Sequence, residues 1–207
     1  MGRPSKRSEE DGSERGSDGA RDLTAGDLAR LLEVDLKTIH NWVNQGHVFA
    51  RRTEGRHLRF QRVEVVRFLR RFGYPVPGEL GKTPPRVLVH NEGARKKIPG
   101  VEQHDGAGLF ATVLEVASGF YEVLVLSLDA HEVAVVRELV LALRARPATR
   151  GVSVVGLSRK PARRSAFVDH GGDVALAPGK SGSVAQAARW LTGGAERPPR
   201  GALISWA

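Results

Sequence analysis

The chain has 207 residues, a formal net charge of +9, a pI near 10.6 and no cysteine. This length accommodates one large or two small domains, the charge favours an anionic partner, and the lack of cysteine excludes a disulfide framework or a Cys-ligated metal. No apolar run approaches the ~18 residues of a membrane helix and the mixed-charge N-terminus is unlike a signal peptide, so a soluble, cytoplasmic protein with no membrane partner is expected.

In chain order, residues 1–22 hold Gly, Ser and mixed charge, 5 Lys/Arg against 6 Asp/Glu, and predict a disordered tail. The run Glu9-Glu10-Asp11 favours a solvated tail over a DNA-touching arm through Lys6 and Arg7. The basic density begins afterwards. Residues 23–74 carry 10 Lys/Arg against 5 Asp/Glu, whereas 86–207 spread 16 against 11 over more than twice the length.

Thr24 to Leu32 predicts a short helix, with Thr24 as N-cap and Leu28, Leu31 and Leu32 as its buried stripe. Glu33-Val34-Asp35 is about the length of a helix-turn-helix turn. The nonamer Leu36–Asn44 predicts a second helix, capped by Asp35 and stopped at Gly46, with Leu36, Ile39 and Val43 on its apolar stripe. Trp42, beside that stripe, reads as a core anchor. The opposite face holds Lys37, Thr38, His40 and Asn41, donors without a carboxylate, as suits a helix lying in a DNA major groove.

Val48 to Phe60 predicts a hairpin around Thr53-Glu54-Gly55. Its arginines, Arg51, Arg52, Arg56 and Arg59, repel one another unless an anion lies between them, which points to phosphate. A third helix spans Arg62 to Arg71, with Val63, Val66, Phe68 and Leu69 inward and Arg67, Arg70 and Arg71 as a solvated face. Residues 75–85, rich in Pro and Gly, predict a semi-stiff linker.

From Arg86 the pattern changes to apolar runs alternating with amphipathic stretches, the mark of a parallel sheet covered by helices. The predicted strands are Val87–Val89, Val123–Leu126, Val152–Leu157 and Val174–Leu176, with a short one near Val101–Gln103. Helices are expected at about Gly108–Ala117, Glu132–Arg144, Ala162–His170 and Val184–Thr192. The tail from Gly193 ends in Leu203-Ile204-Ser205-Trp206, which suits either packing on the sheet or a docking peptide.

Two family resemblances follow. Leu23-Thr24, Ala29–Leu32 with Val34, Thr38-Ile39, Trp42-Val43, Gly46 and the ending Gly55-Arg56-His57-Leu58-Arg59-Phe60 resemble the winged helix-turn-helix of MerR-type regulators, BldC-like proteins and phage excisionases. The resemblance implies sequence-specific binding to double-stranded DNA, with His40 and Asn41 in the major groove. Thr24, Lys37 and Thr38 complete that candidate set, and the wing's Arg51, Arg52, Arg56, His57 and Arg59 would meet phosphate or the minor groove.

Residues 86–192 resemble the receiver domain of response regulators, through Arg146–Ser158 and through His170-Gly171-Gly172-Asp173-Val174-Ala175-Leu176-Ala177-Pro178. The fold expected overall is α/β: a small winged helix-turn-helix domain (23–74) plus a flavodoxin-like, doubly wound parallel sheet (86–192). The family's acid pair falls on His90 and Asn91, its phosphoryl acceptor on Ser127, its Ser/Thr on Ser158 and its lysine on Ala177 or Pro178. Neutral His and Asn hold a magnesium ion poorly and an unactivated serine is a poor acceptor, so a degenerate pocket without phosphorelay chemistry is expected. The family's first helix is missing too, because only Gly93–Gly100 separates the first two strands, which leaves one sheet face thinly covered.

The function expected is a DNA-binding transcriptional regulator, not an enzyme, without cofactor or metal and associated with the nucleoid. Its receiver-like half would mediate homodimerisation or contact with a protein partner. Alternatives are an excisionase-type or architectural factor, or a cobalamin-type MerR-like repressor. For the last, Glu102-Gln103-His104 resembles the ligand motif, but Ala107 stands where it needs glycine. Ser127, His90 and Asp129 meet at the strand ends, where α/β folds keep their sites, as the fold alone would bring about.

Overall fold

Thr24 starts the first domain by closing a capping box: its hydroxyl accepts the Asp27 N–H at 3.0 Å while its own N–H donates to the Asp27 carboxylate at 3.1 Å. The computed structural model describes residues 22–90, 97–118, 121–179 and 181–206, with Ser181 described in its backbone only; the expected disordered tail and Asn91 lie outside them. Strand β1 (Leu23–Thr24) leads into helix α1 (Ala25–Leu31). The turn to α2 (Leu36–Asn44) passes through Glu33 at φ 54, a left-handed corner that lets the Val34 N–H reach the Ala29 carbonyl at 3.0 Å. Asp35 takes the N-cap position of α2, yet its side chain makes no capping bond.

Strands β2 (Arg51–Arg52) and β3 (Leu58–Phe60) form the predicted hairpin, and β1 pairs along the other edge of β3 to give the order β1-β3-β2. Helix α3 (Arg62–Arg71) closes the domain. Leu28, Ile39, Val48, Phe60, Val65, Val66, Phe68 and Leu69 form the core, with Trp42 tilted against Phe68 at 4.8 Å between ring centroids. Leu36 corrects the predicted stripe. It is 52% exposed, so α2 is anchored through Ile39, Trp42 and Val43 instead.

The second domain is a six-stranded sheet. Strands β4 (Arg86–His90), β5 (Glu102–Asp105), β6 (Val123–Ser127), β7 (Ser153–Leu157) and β8 (Val174–Leu176) are parallel, and β9 (Leu203–Ile204) adds an antiparallel edge. The order β5-β4-β6-β7-β8-β9 is the flavodoxin-like 2-1-3-4-5 order with one added strand. Val123 through Leu126 are buried on both sheet faces, which is why they read as a continuous apolar run.

Helices α4 (Leu109–Ala117), α5 (Val133–Ala145) and α6 (Pro161–Asp169) cover one face through Val116, Leu139, Val140, Leu143 and Phe167. Helix α7 (Ser181–Leu191) covers the other, joined by Ile98 from the β4–β5 connection and by Trp206. The Trp206 ring stacks on Trp190 at 5.7 Å, nearly parallel. The C-terminal tail thus packs on the sheet, on the face that α7 covers.

Two segments expected to face solvent make contacts inside the fold. The 75–85 stretch is no spacer: it folds into a 3-10 turn, Gly78–Gly81, whose Leu80 joins the winged core. Arginines of α3 are no solvated face either. Arg62 makes a two-pronged pair with Glu122 at 2.8 and 2.6 Å. Arg67 bonds Asp173 at 3.1 Å and Ser153 at 3.3 Å, and Arg70 reaches the carbonyls of Trp190, Ala195 and Glu196. Only Arg71 stays exposed. Helix α3 is therefore buried nearly all round, one side in its own domain and the other against the N-terminal ends of β6, β7 and β8.

Candidate nucleic-acid interface

Anchoring α2 by Ile39, Trp42 and Val43 fixes which side chains point outward. Lys37, His40, Asn41 and Asn44 are exposed, Thr38 is half-buried, and α2 contains no acid. The exposed Leu36 stands at the start of the same face, where an apolar group can meet a thymine methyl. Sequence reasoning placed Leu36 in the core and left Asn44 out, because both sit where a short helix's inner and outer stripes meet.

The hairpin tip is tightly built. Arg56 N–H donates to the Thr53 carbonyl at 2.8 Å, Thr53 N–H to the His57 carbonyl at 3.0 Å, and His57 N–H to the Thr53 hydroxyl at 3.2 Å. This closure puts Arg56 at φ 62, a left-handed conformation that a side chain disfavours. Arg52, Arg56 and His57 are exposed at this tip.

Four candidates have other employment, Arg52 among them through a bond from its guanidinium to the Arg56 carbonyl at 3.3 Å. The Thr24 hydroxyl serves the capping box, and it also donates to Asp27 at 2.8 Å. Arg51 is paired with Asp22, so the repulsion expected among the four wing arginines is relieved partly by a protein carboxylate. Arg59 is half-buried and donates to the Leu58 carbonyl at 3.2 Å. What stays outward is Lys37, His40 and Asn41 on α2 with Arg52, Arg56 and His57 on the hairpin that follows it, all left uncovered by the second domain.

The expected degenerate pocket lies at the C-terminal strand ends, opposite the end that holds the winged domain. His90 is buried; its Nε2 lies 3.0 Å from Nε2 of His131 and its Nδ1 3.3 Å from the Thr112 hydroxyl. That hydroxyl donates to the Gly108 carbonyl at 2.7 Å, which leaves His90 Nδ1–H as the donor to it. Ser158 is buried and its hydroxyl donates to Asp129 at 2.6 Å. The Arg159 N–H donates to the same carboxyl at 3.0 Å, and these bonds hold the Asp129 pKa below the usual carboxylate value. Asp129 thus staples the β6 and β7 loops together, while the N-cap of α5 is Glu132. Among the described residues no hydrogen bond joins Ser127 to His90 or Asp129. His104, of the cobalamin-like run, lies on edge strand β5 beside the Tyr121 ring.

A family model described as a helix-turn-helix domain matches residues 23–72. These are the residues of β1 through α3, so the first domain is a helix-turn-helix domain, and the match supports a DNA-binding regulatory function. No curated protein matches the chain. Among the described residues no helix is long and apolar enough to cross a membrane.

Proposed function

We propose that the protein is a sequence-specific regulator of transcription acting on double-stranded DNA in the nucleoid, and not an enzyme. One observation carries the reading: the outward face of α2 is exposed and free of acids, and the wing that follows it in the chain presents Arg52 and Arg56 to solvent. Lys37, His40 and Asn41 read base edges in the major groove, while the wing arginines hold phosphates.

Single modules of this size bury only about 600–1,000 Å² on DNA, so specific binding calls for a second copy. The α/β domain, a receiver-like unit whose acid and acceptor positions hold His90 and Ser127, provides the pairing surface in this reading. Phe110 and Leu114, one helical turn apart on α4, are 78% and 60% exposed, an apolar pair suited to burial against a partner copy. Sedimentation of the Phe110→Glu/Leu114→Glu protein should then show monomer where the parent chain is dimeric.

The DNA reading is tested by selecting bound sequences from a random pool. Alanine at Lys37, His40 or Asn41 should blur the selected motif, costing about 1–3 kcal/mol of discrimination for each good base contact. Alanine at Arg52 or Arg56 should weaken all sequences alike and flatten the salt slope by about 0.9 for each phosphate lost. A pool that emerges unenriched from the parent protein would sink the proposal.

A further inference from the structure

The α5–β7 loop, residues 146–151, reaches from the second domain to the root of the wing. The Arg150 guanidinium carbon lies 3.9 Å from the centroid of the Phe49 ring, and Phe49 precedes β2 by two residues. Next to it, Gly151 is so close to α3 that a Cβ there would come within 1.8 Å of Gln61 Oε1. Three residues of extended chain span roughly 10 Å, so the backbone of Phe49, on which Arg150 rests, stands within about three nucleotide rises of that of Arg52.

The loop is held in shape before any ligand arrives. Buried Thr149 donates its hydroxyl to the Leu143 carbonyl at 2.8 Å. Arg144 clamps the loop from beneath, donating to the carbonyls of Arg150 at 3.0 Å and Val152 at 2.7 Å, and its other arm pairs with Asp173 at 2.5 Å. Arg146 and Arg150 are exposed, and among the described residues neither side chain meets a carboxylate. A guanidinium lying over a ring spends its face on the aromatic and keeps its in-plane N–H donors for an oxygen anion.

We propose that Arg146 and Arg150 form a second phosphate-contacting element, by which the α/β domain itself grips the DNA backbone beside the wing. The inference rests on the DNA-binding reading above. Because Arg62, Arg67 and Arg70 of α3 fix the two domains together, the loop meets the duplex with little ordering cost.

The test measures binding of full-length variants to a random-sequence duplex across a salt series. Arg146→Ala/Arg150→Ala should weaken binding about 10-fold and flatten the salt slope by about 2, the loss of two phosphate contacts. Arg137→Ala/Arg159→Ala removes equal charge from exposed positions elsewhere and should change affinity less than 2-fold. Arg150→Lys keeps the charge and should recover most of what Arg150→Ala loses; a lysine variant as weak as alanine, with Arg146→Ala neutral, would reduce the loop to a structural contact and overturn the proposal. Equal losses in the loop pair and the control pair would overturn it too. Arg52→Ala/Arg56→Ala separates the two readings: if that pair weakens binding and the loop pair does not, only this inference falls. If neither pair matters, the winged reading falls with it.

Discussion

Helix α3 and the wing are neighbours in sequence and both rich in arginine, yet their arginines meet different surroundings. Arg62, Arg67 and Arg70 reach Glu122, Asp173 and a row of backbone carbonyls. Burial alone would lower the Arg67 pKa, but the charges of Asp173 and Glu64 outweigh it and leave the pKa raised; for Arg70, half-hidden among carbonyls, burial lowers it. Arg52 and Arg56 stand in solvent, and Arg56 does so in a backbone conformation that costs energy. Charge density is the same signal in both places. What separates architecture from binding is the partner each cation finds within its own chain.

The contrast can be broken from either side. The largest effect is expected at Asp173, which accepts from Arg67, Arg144 and the Val154 N–H at 2.6 Å. Asp173→Asn leaves Arg144 without a carboxylate and Arg67 with Glu64 alone, and should cost about 3–5 kcal/mol in urea unfolding. A loss below about 1 kcal/mol would mean the domain junction does not depend on this network. Next comes Leu80→Ala, expected to cost about 2–3 kcal/mol because Leu80 fills the winged core from beyond α3; unchanged stability would restore the 75–85 stretch to a spacer.

Arg56→Gly sharpens the other side. Glycine accepts φ 62 without strain, so stability should hold or rise by up to about 1 kcal/mol while DNA affinity falls. Loss of stability with unchanged affinity would place Arg56 among the structural arginines. The smallest effect belongs to Asp129. Its pKa in the folded chain is depressed, so its contribution is present above the ordinary value of about 3.9 and is lost as pH falls through the depressed one. The stability gap between the parent and Asp129→Ala should therefore be open near neutral pH and close in acid, read from urea midpoints at each pH. A gap independent of pH would deny the carboxylate that role.

Much of this protein was legible in its residues. The Thr24 cap, the three helices of the first domain, the wing hairpin and the apolar strands of the sheet all rest on local pattern, where spacing and residue type act within a few positions. The outward set on α2 followed from the same spacing once Trp42 was placed inside. Leu36 departs from expectation because it sits at the edge of a short helix's apolar stripe. The α3 arginines, the 75–85 stretch and Arg51 depart because their partners lie elsewhere in the chain. Arg67 and Asp173 are 106 residues apart, and no periodicity connects them.

The sequence alone determined the two-part α/β organisation, the helix-turn-helix and the absence of acids from α2, because those depend on short-range propensity and hydrophobic period. Only the tertiary structure decided that α3 is a shared core element and that the C-terminal tail covers the sheet. It alone brought Arg150 to the wing. Each of these turns on which charged or aromatic groups desolvate against one another across the fold, and burial of that kind is set by the packing of whole elements.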